Sequence, residues 1–333
     1  MKKNKIILTL DGNEACALAS YLFSEVATIY PITPSSSMAE LVDVFSKKNK
    51  KNIFNSSVVV KQMQSEAGAA GAMHGSLQAG SLTTTYTSSQ GLLLMIPSIY
   101  KMVGELLPGV IHVAARSIAT RSLSIFGDHQ DVYATRQTGI SIVASSCVQE
   151  AYDITIFSHL SSISSRSLFL HFFDGFRTSH EINKIETIDK EILEELIDKE
   201  SLKKYRENAL DPISNPITRG GNENEDIYFQ GREAQNKHFD NVLSKSNYYF
   251  EKLSKITGRE YAPFVYYGDL NAKKIIIAMG SVCETIENTV DILNKESDEK
   301  VGYIKVMLYR PFSKQFLLNK IPKSVEKIAV LDR

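Results

Sequence analysis

The sequence predicts a doubly wound, mostly parallel α/β sheet followed by a second, incomplete α/β unit, and two observations carry this. Short apolar runs alternate with helical patterns from Ala27 to Phe173, as strands joined by crossover helices do. The same rhythm resumes between Lys274 and Leu331, after a polar stretch. Sheets of this kind bind ligands in loops at the carboxyl ends of their strands.

Taken in order, Ala27 to Ile32 reads as a buried strand running into the loop Thr33-Pro34-Ser35-Ser36. Ser37-Met38-Ala39-Glu40 has the Ser-x-x-Glu form of a capping box and opens a helix through Phe45. Val58 to Val60 begins a second strand, and Ser65-Glu66 opens a helix made mostly of Ala and Gly. Ser81 to Thr87 is a strand rich in hydroxyls; Ser88 to Gly91 turns into a helix from Leu92 to Glu105. Gly109 to Ala115 and Ile140 to Ser145 are strands, Val148 to Ile163 a helix, and Leu168 to Phe173 a strand.

From Glu186 to Asn247 the chain turns to charged helices and polar loops, and Pro212, Pro216 and Gly220-Gly221 break up a surface excursion at 211–226. A new unit begins after Thr257-Gly258, placing the domain boundary at 1–258 and 259–333. Its parts are a strand from Lys274 to Met279, the turn Gly280-Ser281, a helix from Val282 to Asn294, and a strand from Val301 to Met307. Phe312 to Leu318 reads as helical and Lys327 to Leu331 as one more strand. A last buried parallel strand without its following helix reads as a domain cut short.

Composition bounds the function. The 333 residues accommodate two domains of roughly 100–200 residues. Lys plus Arg and Asp plus Glu are both 38, which excludes a strongly basic nucleic-acid footprint or an acidic tail. Apolar runs such as Leu92 to Pro97 are far shorter than the ~20 residues of a membrane span. Met1 to Lys5 has the charge of a leader, but Ile6 to Leu10 is too short for its apolar core. The expectation is a cytoplasmic chain. Its three cysteines, Cys16, Cys147 and Cys283, are widely separated and form no Cys-x-x-Cys. They read as thiols in a reducing compartment, and no metal ligand set is assigned.

Three places could carry chemistry. The loop Tyr30 to Ser37 brings hydroxyls and free amide donors to a helix N-terminus, which suits a small anion or plain capping. Glu66 heads a helix whose repeated Gly, costing ~1 kcal/mol each against Ala, calls for a packing reason. That carboxylate is either a buried functional acid or simply a favourable charge at the helix start. Arg116, at the end of a hydrophobic strand, can clamp a carboxylate bidentately or make a surface ion pair. Asp128-His129-Gln130-Asp131 reads as a turn and helix cap, and His171 and Asp174 as polar lining. Ala278 to Ser281 lacks the Gly-x-Gly-x-x-Gly of dinucleotide binding.

Together these stretches resemble the pyruvate:ferredoxin (flavodoxin) oxidoreductase family, thiamine-diphosphate and iron–sulfur enzymes. The likeness runs through Asp11-Gly12-Asn13, Ile29 to Ala39, Gln64 to Gly91, Gly104 to Gly109, Phe126 to Val132 and Leu170 to Glu181. It continues through Met279 to Ile286 and Leu308 to Phe312. The resemblance implies a pyrimidine-type thiamine-diphosphate-binding domain, then part of a domain similar to the transketolase C-terminal domain. It places the family's aminopyrimidine-contacting glutamate on Glu66, which would help the exocyclic amine reach its imino form and remove the thiazolium C2 proton. Its pyruvate-contacting Thr and Arg fall on Thr33 and Arg116. The implied reaction is oxidative decarboxylation of pyruvate with coenzyme A to acetyl-CoA and CO2, electrons passing to ferredoxin or flavodoxin.

Chains of the family are several-fold longer and dimerise as homodimers. Their Gly-Asp-Gly…Asn motif for diphosphate and Mg²⁺, and the cysteines of their [4Fe-4S] clusters, have no counterpart here. The expectation is therefore half an active site, inactive alone, completed by a missing C-terminal portion or a companion subunit. A subunit of a related 2-oxoacid:ferredoxin oxidoreductase and a non-catalytic truncated remnant are the competing readings. Glu225 to Gly231 also matches the Glu-x-x-Tyr-x-Gln-Gly pattern of a tag-removing viral protease, and is expected to be cut after Gln230 if this loop is exposed.

Overall fold

The computed structural model describes residues 6–333; Met1 to Lys5, weighed above as a leader, lies outside them. The strands are β1 (Ile7–Leu10), β2 (Val26–Ile29), β3 (Val59–Gln62), β4 (Thr83–Thr87), β5 (Gly109–Ala115), β6 (Ser141–Ala144) and β7 (Phe169–Asp174). They continue as β8 (Asn183–Glu186), β9 (Phe264–Gly268), β10 (Lys274–Ala278), β11 (Val301–Val306), β12 (Leu308–Arg310) and β13 (Lys327–Val330). The α-helices are α1 (Gly12–Phe23), α2 (Ser36–Lys47), α3 (Glu66–Gln78), α4 (Ser89–Gly104), α5 (Gln130–Thr135) and α6 (Val148–Ser165). Then come α7 (Lys190–Glu195), α8 (Lys199–Glu207), α9 (Tyr228–Ala234), α10 (Asn236–Thr257), α11 (Val282–Glu296) and α12 (Lys314–Leu318).

The main sheet has the order β12-β6-β7-β5-β4-β2-β3. Strands β2 to β7 pair in parallel, and β12 pairs antiparallel with β6. The chain moves outward from β2 to β3, then returns on the other side of β2 to β4. Their carboxyl ends therefore border a switch point, where doubly wound sheets open a crevice. A second sheet, β13-β10-β11-β9, is parallel apart from β9, and β1 pairs with β8 as a separate ribbon. No helix among the described residues is long and apolar enough to cross a membrane.

Local chemistry explains the central elements. Strand β4 is wholly buried despite its threonines, because Thr85 Oγ1 donates to the Thr28 carbonyl at 2.6 Å and Thr84 Oγ1 meets Ser24 Oγ at 2.6 Å. Helix α6 is buried on almost every side, so it shows no amphipathic stripe. Its hydroxyls bond back to their own helix, Thr155 to Ala151 O and Ser158 to Ile154 O, each at 2.7 Å.

Several expectations need correction. The capping box at Ser37 and Glu40 does not form: α2 starts at Ser36 without a side-chain cap, and Ser37 Oγ instead accepts from Asn13 Nδ2 at 2.8 Å. A capping box stands at α1, where Glu14 N donates to Asp11 Oδ1 and Asp11 N to Glu14 Oε2. Strand β13 pairs in parallel as expected but is exposed along its length rather than buried, because it is an edge strand. Two of the three glycines of α3 have no packing partner among the described residues: a Cβ at Gly71 or Gly75 would meet nothing within 4 Å, whereas one at Gly68 would stand 3.4 Å from Ser65 Oγ. The protease pattern is exposed, yet from Tyr228 onward it is helical, in α9.

Candidate active site

The segments that follow β2, β3, β4 and β5, neighbours at one edge of the main sheet, carry Thr33 in a loop, Glu66 and Gly91 in the first turns of α3 and α4, and Arg116 just after β5. Glu66 is the first residue of α3, placed there by Ser65, whose hydroxyl accepts from Gly68 N at 3.1 Å. The residue is 7% exposed, and its carboxylate makes no hydrogen bond or ion pair with a described residue. It lies against the start of α4: a Cβ on Gly91 would sit 2.7 Å from Glu66 Oε1 and 2.7 Å from Thr87 Oγ1. Thr87 Oγ1 is itself buried without a partner. A buried acid and a buried hydroxyl, both unpaired and bordered by a glycine, form a cradle for a polar ring that brings its own donors and acceptors. An aminopyrimidine fits that description.

Arg116 follows β5 and is 6% exposed. Its Nη1 donates to the Thr33 carbonyl oxygen at 2.6 Å and its Nη2 to Gln90 Oε1 at 3.4 Å. Its Nε is buried without a partner, as is the neighbouring Ser117 Oγ. No carboxylate of the described residues holds the guanidinium in an ion pair, and the side chain is buried, so the surface-pair reading fails. Burial lowers its pKa from the ordinary value, opposed by the nearby Asp131. Thr33 is exposed, and it reaches Arg116 through its main chain rather than its hydroxyl. Gly175 brings these loops together, since a Cβ there would lie 2.6 Å from Ala115 O and 2.7 Å from Pro34 Cγ.

Two hydroxyls of the loop after β2, those of Ser35 and Ser37, are engaged with other residues instead of capping α2. Ser35 Oγ donates to Ile32 O at 2.8 Å, and Asn13 Nδ2 holds Pro34 O at 2.7 Å as well as Ser37. Sequence reasoning gave no role to Asn13, Thr87, Gln90 or Gly91. Asp131 also exceeds its expected part in a helix cap, because it is fully buried and accepts main-chain N–H groups from both Ser89 and Arg116. Asp174 leaves the strand-end lining to accept from His129 Nε2 at 2.6 Å and from Arg333 Nη1 at 2.6 Å. His129, Ser281 and Arg333 pull its pKa below the usual carboxylate value against the effect of burial. His171 lies deeper, with Cys16, His112 and His159, all buried.

That deeper cluster is a bonded network. His112 Nδ1 lies 3.0 Å from His171 Nδ1, His112 Nε2 is 3.3 Å from His159 Nε2, and Ser145 Oγ is 2.8 Å from His171 Nε2. Burial holds His159 and His171 at about 3 and pushes the Cys16 thiol up to about 12, so all three stay neutral.

Comparison with known proteins follows the same outline. Residues 18–251 match the family described as pyruvate flavodoxin/ferredoxin oxidoreductase, thiamine diphosphate-binding. Residues 272–333 match the pyruvate:ferredoxin oxidoreductase core domain II. The pyruvate-flavodoxin oxidoreductase of Enterobacter agglomerans is 56% identical over 325 residues, 98% of this chain and 28% of that protein. The pyruvate:ferredoxin oxidoreductase of Moorella thermoacetica is 54% identical over 325 residues, again 98% and 28%. A pyruvate-flavodoxin oxidoreductase sequence from Nostoc sp. is 51% identical over 324 residues, 97% of this chain and 80% of that one. A solved 2-oxoglutarate:ferredoxin oxidoreductase from Magnetococcus marinus, with 2-oxoglutarate, coenzyme A and succinyl-CoA bound, superimposes with a TM-score of 0.73. It covers 98% of this chain and 58% of that chain at 19% identity, a likeness of fold alone. The chain thus spans about 28% of the length of the first two relatives.

Proposed function

The chain belongs to the pyruvate flavodoxin/ferredoxin oxidoreductase family, and on that premise we propose that it forms the pyrimidine side of a thiamine diphosphate site and holds pyruvate there. The observation that carries this reading is Glu66, a buried carboxylate without a partner, bordered by Gly91 and the unpaired Thr87 hydroxyl. Thiamine diphosphate, when bound, supplies a carbanion for attack on a 2-oxo carbon and an electron sink for decarboxylation.

This chain's residues do the rest of the work at that edge. Glu66 holds a proton against a ring nitrogen of the aminopyrimidine. Arg116 turns its free Nε edge to the substrate carboxylate, which a guanidinium binds with fixed orientation. The Thr33 hydroxyl orients the oxoacid beside it. The buried strand ends around Thr87 and Ser117 keep water from the reacting face.

Within the same reading, the first unit spans 1–258 and the second starts at 259, and the protein works in the cytoplasm. Mg²⁺, [4Fe-4S] clusters, coenzyme A and the ferredoxin or flavodoxin acceptor engage residues outside this chain. Its three cysteines are far apart in sequence, and Cys16 and Cys283 are buried. The chain alone is therefore inactive, and the complete enzyme is a homodimer in which a further portion or companion subunit closes the site.

The test is a chimera in which this chain replaces the matched 325 residues of the Enterobacter relative. Viologen reduction is then compared for pyruvate, 2-oxoglutarate and a branched oxoacid. Pyruvate is expected to turn over at least tenfold faster than the others. Preference for another oxoacid would assign the chain to a sibling substrate class, and robust turnover by the isolated 333 residues would contradict the half-site.

A further inference from the structure

We propose that Asp131 is a positioning residue for the oxoacid site: one of its carboxylate oxygens ties the main chain of Arg116 to the first turn of the helix that borders Glu66. This rests on the reading of Arg116 and Glu66 given above. Asp131 Oδ2 accepts from Arg116 N at 3.0 Å and from Ser89 N at 2.7 Å, while Oδ1 accepts from Val132 N at 2.8 Å. Arg116 directly follows β5 and Ser89 begins α4, so the two segments meet on a single atom. Ser89 has φ of +49°, a left-handed conformation that non-glycine residues adopt only when held.

Side chains reinforce the junction. Ser89 Oγ lies 2.7 Å from Ser117 O and 2.6 Å from Gln90 Oε1, and the latter accepts from Arg116 Nη2. Two residues beyond Ser89, Gly91 touches the Glu66 carboxylate. Displacing Ser89 therefore moves both the substrate-facing guanidinium and the wall of the pyrimidine cradle. An interior carboxylate is a costly way to brace a loop. Burial pushes its pKa up to about 6, opposed by the three main-chain donors and by His129. Among the described residues, the charged groups facing it are Arg116 from the segment after β5 and His129 from the segment before α5, while α4 presents the Ser89 N–H.

The experiment measures KM for pyruvate and kcat of the chimera from pH 5.5 to 8, for the parent, Asp131→Asn and Arg116→Ala. The expected result is a KM at least tenfold higher in Asp131→Asn at pH 7.5, with kcat changed less than KM. The parent KM should rise as pH falls through about 6, and that rise should be flattened in Asp131→Asn. In the purified chain, butanedione should modify Arg116 at least fivefold faster in Asp131→Asn, with exposed Arg121 unchanged. If Arg116→Ala raises KM but Asp131→Asn leaves KM, pH profile and Arg116 reactivity as in the parent, the proposal is overturned while the site assignment survives. If Arg116→Ala itself leaves KM unchanged, the site assignment has failed. Should Asp131→Asn not fold, a parent KM that is flat across pH 6 overturns the proposal by itself.

Discussion

Arg116 Nη1 donates to the main-chain oxygen of Thr33 at 2.6 Å, joining two residues 83 apart in sequence. The contact spends one face of the guanidinium on the loop after β2 and leaves Nε buried and unpaired. It ties the loop after β2 to the segment after β5, while Nη2 reaches Gln90 Oε1 at 3.4 Å.

Arg116→Lys tests this division of labour. A lysine keeps the charge but cannot hold the Thr33 carbonyl and present a second planar edge at once. Losing a charged hydrogen bond costs about 1.5–3 kcal/mol, so the purified chain should unfold several degrees lower by scanning calorimetry. Pyruvate KM in the chimera should rise at least tenfold.

Gly91→Ala probes the cradle with one methyl group. The new Cβ would stand 2.7 Å from Glu66 Oε1 and from Thr87 Oγ1, so the carboxylate must swing away. Thiamine diphosphate affinity of the chimera, measured by titration calorimetry, should fall at least tenfold, about 1.4 kcal/mol. Thermal stability should change little, because alanine suits a helix better than glycine.

Gly71→Ala and Gly75→Ala should behave in the opposite way. Both positions are helical and open, so alanine gains about 0.4–1 kcal/mol at each. Urea denaturation of the purified chain should show both variants more stable. A loss of chimera activity in those same variants would mark the exposed α3 face as a surface that another part of the enzyme needs.

The pH dependence of stability carries the signature of Asp131. Its folded pKa stands at about 6 against 3.8 in the unfolded chain, so the folded state holds the proton more tightly. The contribution is present in full below the unfolded value and is lost as pH rises through about 6. Between pH 7 and pH 5 the parent should gain about 1 kcal/mol relative to Asp131→Asn in urea denaturation.

Much of this was legible in the sequence where local chemistry decides the outcome. Strand β5 runs from Gly109 to Ala115 and α6 starts at Val148, as turn residues beside apolar runs indicate. Where long-range partners decide, the sequence was silent. Strand β12 joins the first sheet because Leu308 finds Val143, and β1 exists only through β8. Ser37 looked like a cap, but Asn13 takes its hydroxyl. Glu66 and Arg116 were visible as lone polar residues at the ends of apolar patterns. Thr87, Gly91 and Asp131 were not, since their roles come from elements distant in sequence.

The central claim is that Glu66 is the acid that meets the cofactor ring, and Glu66→Gln in the chimera tests it most directly. Pyruvate-dependent viologen reduction at saturating thiamine diphosphate should fall at least a hundredfold, about 2.7 kcal/mol, while the folded chimera keeps its thermal stability. A Glu66→Gln chimera that turns over pyruvate at the parent rate would contradict the account.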